Sequence, residues 1–106
     1  MARERIIATD KTIKDIVEQE IEKYGLNADL NHIDVSNVTN MRKMFSYSQF
    51  NGDISHWDVS NVTDMGKMFH YSQFNGDISN WKINKAVDVS KICYEFTDDE
   101  LSEIEL

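Results

Sequence analysis

The sequence contains no proline and one cysteine, Cys93, in 106 residues. A lone thiol cannot close an internal disulfide and suits a reducing compartment better than a secreted, cystine-stapled scaffold. Stability therefore has to come from packing. Long apolar runs are missing too. The first 24 residues contain Arg3, Glu4, Arg5, Asp10, Lys11, Lys14, Asp15 and Glu18, which interrupt any signal-peptide core, and no other stretch could span a bilayer. Membrane insertion is not expected. The chain as it stands reads as cytoplasmic, or as a cell-surface segment if it is a fragment of something longer. Positive charge is scarce as well: 11 Lys and Arg face 19 Asp and Glu, for a net charge of −8. Direct nucleic-acid binding is therefore not expected, because it rests on clustered cations that release counterions. The length bounds the chain to one small domain, 1–106.

The acidity is uneven. From Glu95 to Leu106 there are six carboxylates and no cation, so this segment carries −6 of the −8. Such a tail either keeps the protein soluble or steers a basic partner toward it.

What the sequence has in abundance is repetition. Residues 30–53 (LNHIDVSNVTNMRKMFSYSQFNGD) and 54–77 (ISHWDVSNVTDMGKMFHYSQFNGD) agree at 18 of 24 positions, and the period continues loosely from Ile78 to Phe96. A fixed period of this length signals a stacked array. Within a unit, Ile54, Trp57 and Val59 predict a short strand. Met65, Met68 and Phe69, at i, i+3 and i+4 after Thr63, predict a short helix. Asn51-Gly52 and Asn75-Gly76 are read as helix-to-strand turns, which makes successive strands parallel. Stacking would bury Ile33, Trp57 and Trp81 in one column and Met44, Met68 and Ile92 in another. The Asn27, Asn51, Asn75 and Asp29, Asp53, Asp77 columns are expected to hydrogen-bond turn backbone.

The ends read as caps. Asp10 precedes Ile13, Ile16, Val17, Ile21 and Tyr24, with Gly25 beyond, which predicts an amphipathic helix capped by Asp10. Ile6, Ile7 and Ala8 add a first strand. Thr97 with Glu100 forms a capping box for a terminal helix. The organisation is thus a cap at 1–25, repeats at 26–93 and an acidic cap at 94–106. The fold class is α/β: a short solenoid of parallel strand and helix coils, capped by helices at both ends.

The run W-D-V-S-N-V-T-D-M-x-x-M-F from Trp57, followed by F-N-G-D-I-S from Phe74, resembles the BspA-like leucine-rich-repeat family of bacterial surface proteins and mycoplasma-type lipoproteins. The likeness covers residues 26–84. It implies a right-handed solenoid used for adhesion or protein interaction and not for catalysis. The chain departs from that pattern in having few repeats, no lipoprotein cysteine near the start and no wall-anchoring segment.

Candidate chemistry lies on the strand face. His32, Asp34 and Ser36 recur as His56, Asp58 and Ser60 one period later, so two imidazoles and two carboxylates would share one face. Such a column could hold a divalent metal or serve a hydrolase. Against this, the third unit has Asn80 and Lys82 in these places, and alternate residues of one strand point in parallel and do not converge. Lys43, Lys67 and Lys91 form a second column, read as a solvated face; Tyr47 and Tyr71 form a third, either exposed or packed between coils. Cys93 stands where Phe45 and Phe69 stand, and reads as a buried thiol. The reading is a non-catalytic protein-interaction module, without metal or cofactor, binding a protein with a basic surface. Specific contacts are expected from His32, Asp34, Ser36, His56, Asp58 and Ser60, and long-range attraction from Asp98, Asp99 and Glu103. An intracellular inhibitor carried by a phage or mobile element falls within it. The alternative is a metal-dependent or hydrolytic enzyme using His32, His56, Asp34 and Asp58.

Overall fold

The computed structural model describes residues 3–93. In chain order they form strand β1 (Ile6–Ile7), helix α1 (Ile13–Tyr24), strand β2 (Ile33–Asp34) and a short 3₁₀ turn (Val89–Lys91). β1 and β2 pair in parallel, Ile6 opposite Ile33 and Ile7 opposite Asp34. The strand expected at residues 6–8 and the helix expected before Gly25 are therefore present. The helix places Ile13 and Val17 in the core, and Gly25, at φ 99°, ends it by donating its N–H to Ile21 O. Asp10 does not cap α1. Thr12 stands at the N-cap, while Asp10 Oδ1 accepts Thr39 N–H at 2.7 Å and Asn40 N–H at 3.2 Å, and Oδ2 accepts the Thr39 hydroxyl at 2.6 Å. The carboxylate thus ties the N-terminal segment to the first repeat.

The solenoid of strand-and-helix coils does not form. Among the described residues there is one α-helix and one two-stranded sheet; residues 54–59 and 78–83 are not strands, residues after Thr39 and Thr63 form turns where helices are expected, and after Val87 only the single 3₁₀ turn Val89–Lys91 forms. The reason lies in where the amides go. Met44, Ser46 and Ser48 donate to Met41, Lys43 and Phe45 O, bonds of i+3 type. Met41, Lys43, Phe45 and Tyr47 donate to Asp64, Gly66, Met68 and His70 O in the next copy. Each of those alternate amides is spent between copies, so an i−4 ladder cannot run. Lys43, Tyr47, Lys67 and Tyr71 all have φ between 50° and 59°, a left-handed conformation that breaks any helix.

The strands are lost to a different competitor. Asp29, Asp34, Asp53, Asp58, Asp77 and Asp88 each accept, through Oδ1, the N–H two residues on. These local turns offer the backbone an alternative to a sheet ladder. Pairing between copies survives at isolated parallel bridges, Asp29 with Asp53 and Asn40 with Asp64. The aspartate column does bond turn backbone, as its spacing suggests, and Asn75 N–H likewise donates to Asn51 Oδ1 at 2.7 Å.

The core follows the repeat. Leu30, Ile33, Phe45, Phe50, Ile54, Trp57, Met68 and Trp81 are buried, and Phe45 stacks on Phe50, Trp57 and Phe69 at centroid distances of 5.1, 6.0 and 5.8 Å. Each indole donates to a carbonyl one period back: Trp57 Nε1–H to Leu30 O at 2.9 Å and Trp81 Nε1–H to Ile54 O at 3.0 Å. Gly52 is required by packing, since a Cβ there would overlap Ala28 O.

Candidate functional site

Two of the expected site pairs are turn units of identical construction. Asp34 Oδ1 accepts Ser36 N–H at 2.9 Å and its hydroxyl at 2.6 Å; Asp58 Oδ1 accepts Ser60 N–H at 3.1 Å and its hydroxyl at 2.6 Å. Asp34 Oδ2 also receives Arg5 Nε and Nη2 at 3.1 and 2.6 Å, a forked ion pair delivered by the β1–β2 register. The Ser36 hydroxyl and amide, then Arg5, hold the Asp34 carboxyl down at about 2. The Ser60 hydroxyl and amide lower Asp58 in the same way, against some burial and the charge of Asp34. Both carboxylates are ionised at neutral pH. Arg5, Asn31, Asp34, Ser36, His56 and Asp58 line one shallow concavity of about 210 Å³.

His32 does not join this face. Its ring is turned inward, where Nε2 meets Glu20 Oε1 at 2.5 Å with both side chains over nine-tenths buried, and Tyr24 packs against it edge-on at 6.2 Å. His56 is exposed; its N–H donates to Asn31 Oδ1 at 2.8 Å and its Nδ1 lies 3.2 Å from Ser55 Oγ. The His32–His56 column required by the metal or hydrolase alternative is therefore not assembled. The Ser36 and Ser60 hydroxyls are committed to the carboxylates of their own turns, so neither is engaged by an imidazole. Among the described residues no three His, Cys, Asp or Glu side chains group as a metal site would need.

Asp98, Asp99 and Glu103, and the terminal capping box, lie outside the described residues. Cys93 is exposed and not buried, a correction that follows from the missing helix that would have turned it inward. Tyr47 and Tyr71 stand 71% and 70% exposed with ring centroids 5.4 Å apart. Asp64 meets Arg42 Nη1 at 3.7 Å, a neighbour from the other copy. The residues that sequence reasoning missed are Arg5, Asn31 and Glu20. Glu20 carried a signal: it falls three residues after Val17 and seven after Ile13, on the apolar face of α1, where a carboxylate needs a partner. Arg5 gave none until the register placed it beside Asp34.

Residues 11–102 match the family described as Mycoplasma protein of unknown function, DUF285. The chain belongs to this family. Searches of curated proteins and of solved structures return no match. DUF285 membership accords with a mycoplasma-type bacterial protein and covers both near-identical repeats as well as α1. Among the described residues no helix is long and apolar enough to cross a membrane.

Proposed function

We propose that this chain is a non-catalytic protein-interaction module of the BspA-like repeat type, which binds a protein with a basic surface. The observation that supports it is the repetition of one turn unit, Asp34 with Ser36 and Asp58 with Ser60, one period apart; Asp58 presents an ionised carboxylate at the surface, while Asp34 beside it is already ion-paired with Arg5, whose guanidinium a basic partner would have to displace or accommodate. Pre-set carboxylates lose little freedom on pairing with Lys or Arg, which favours specific contacts. His56 and Asn31 complete the rim. The acidic segment from Glu95 to Leu106 adds long-range attraction, screened within about 8 Å at physiological ionic strength. Occlusion of a basic site on an enzyme, as by an inhibitor carried on a mobile element, is one use of such a surface.

The test compares wild-type protein with the Asp34→Asn/Asp58→Asn double variant, which retains a side-chain carbonyl for each turn and removes the charge. A partner recovered from the native cell should dissociate faster from the double variant, while neutralising Asp98, Asp99 and Glu103 should slow association and flatten its salt dependence. Unchanged dissociation from a folded double variant refutes the role given to this face.

A further inference from the structure

Residues 47–55 and 71–79 share one nine-residue sequence, Y-S-Q-F-N-G-D-I-S, so Asn51-Gly52 and Asn75-Gly76 are chemically equivalent until the fold distinguishes them. It does so through the main chain. Asn51 N–H donates to Leu26 O at 2.8 Å, Asp53 N–H to Ala28 O at 3.0 Å, and Leu30 N–H returns a bond to Asp53 O at 2.9 Å, which makes the Asp29–Asp53 bridge. The Asn51-Gly52 peptide is thus fastened on both sides to the preceding segment, so closely that a Cβ on Gly52 would overlap Ala28 O. One period later most of this fastening is gone. Among the described residues neither the N–H nor the O of Asp77 bonds to the copy before it, and no bridge joins Asp53 to Asp77. Asn75 N–H donates to a side chain, Asn51 Oδ1, at 2.7 Å, and the nearest backbone bond upstream is Gln73 N–H to Ser48 O at 2.9 Å. Asn75, Gly76 and Asp77 are all exposed, whereas Gly52 is half-buried.

We propose that Asn75 is a site of spontaneous deamidation, and that the fold protects Asn51 from the same reaction. Gly76 N, having lost its proton to a base in solution, attacks Asn75 Cγ and closes a five-membered succinimide. The Cγ–Nδ2 bond breaks, and the nitrogen leaves as ammonia after taking a proton from water. Water then opens either imide C–N bond, leaving aspartate or isoaspartate at position 75 with no change of oxidation state. Closure requires the nitrogen after the asparagine to swing against the side chain, which glycine permits because no Cβ stands in the way. At Asn51 that swing must first release the bonds to Leu26 O and Ala28 O; at Asn75 it breaks no bond to a carbonyl on either side. The Asn75 N–H polarises the Asn51 side-chain carbonyl, but a polarised carbon that the nitrogen cannot reach does not react. The product adds a negative charge two residues from Asp77. Isoaspartate also lengthens the main chain six residues before Trp81, whose indole ties this copy to Ile54 O.

Incubation of the full chain in mildly alkaline buffer, folded and in denaturing urea, followed by trypsin digestion and mass spectrometry, tests this. Cleavage after Lys43, Lys67 and Lys82 puts the two sites in separate peptides, 44–67 and 68–82, and fragmentation locates the converted asparagine within each. In urea the two sites should convert at equal rates, since their flanking sequences are the same. In the folded chain Asn75 should convert about tenfold faster than Asn51, the scale set by releasing one or two backbone hydrogen bonds before reaction. Isoaspartate in the 68–82 product marks the succinimide route. The proposal is overturned if Asn51 converts as fast as Asn75 in the folded chain, if Asn75 stays intact there, or if the product at position 75 is aspartate alone.

Discussion

Replacing Trp57 gives the sharpest check on how the repeats are held together. The side chain is 3% exposed, stacks on Phe45 at 6.0 Å, and donates its indole N–H to Leu30 O at 2.9 Å, so it joins apolar packing to a hydrogen bond across one period. Truncation to alanine removes the ring, at about 3–5 kcal/mol for a buried Trp. It also strips a partner from a buried carbonyl, at about 1–3 kcal/mol. A small domain has only about 5–15 kcal/mol in total, so Trp57→Ala should lose a large fraction of its stability and unfold at a much lower urea concentration. Trp57→Phe separates the two effects. It keeps most of the packing and loses the bond, and should lower stability by about 1–2 kcal/mol, a Tm drop of roughly 5–15 °C. Urea unfolding followed by far-UV circular dichroism reads both variants. Trp81→Phe, with the same bond to Ile54 O, provides a parallel measurement. An unchanged midpoint for Trp57→Phe refutes the claim that the indole bond contributes, and an unchanged midpoint for Trp57→Ala refutes its place in the core.

Three further outcomes are expected. Glu20→Ala should destabilise by about 1–3 kcal/mol, because it leaves a buried imidazole with no acceptor or donor, whereas Glu20→Leu with His32→Leu should be nearly neutral or stabilising; equal losses in chemical denaturation would show that the pair is not isolated in this way. Lys67→Gly should stabilise by about 0.5–1 kcal/mol by relieving the left-handed backbone at φ 55°, and a fall in urea midpoint contradicts that reading. Asp34 and Asp53 are both held at about 2, chiefly by the hydroxyls and amides of Ser36 and Ser55, and Asp58 is lowered likewise. Their folded values lie below the ordinary 3.8, so the folded state binds fewer protons. Their stabilisation is complete above about pH 4–5 and is lost as the pH falls toward 2. A Tm that stays flat down to pH 2 would refute this.

Periodicity was legible because 18 of 24 positions repeat, and any stacked copy must place Trp57, Phe45 and Met68 against their neighbours. The apolar spacing of Ile13, Val17 and Ile21 with Gly25 determined α1 for the same reason: one face had to be buried and the chain had to stop. The Asp29, Asp53 and Asp77 column is legible as bonding turn backbone, whereas Asp34 and Asp58 read in the sequence as strand-face residues. What sequence could not weigh was the competition between those turns and a strand or helix, since the outcome depends on whether an adjacent copy accepts the amides of Met41, Lys43, Phe45 and Tyr47. Given those acceptors, the i, i+3, i+4 pattern of Met65, Met68 and Phe69 is satisfied by a run of turns, and the helix it mimics has no amides left to form. The site divides along the same line. The recurrence of Asp34 with Ser36 as Asp58 with Ser60 is legible in the sequence, but it reads there as a strand face and not as a pair of turns. The inward turn of His32 to Glu20, the Arg5 fork on Asp34 and the reach of Arg42 over Gly66 join residues 12 to 29 positions apart, and only tertiary packing brings them together.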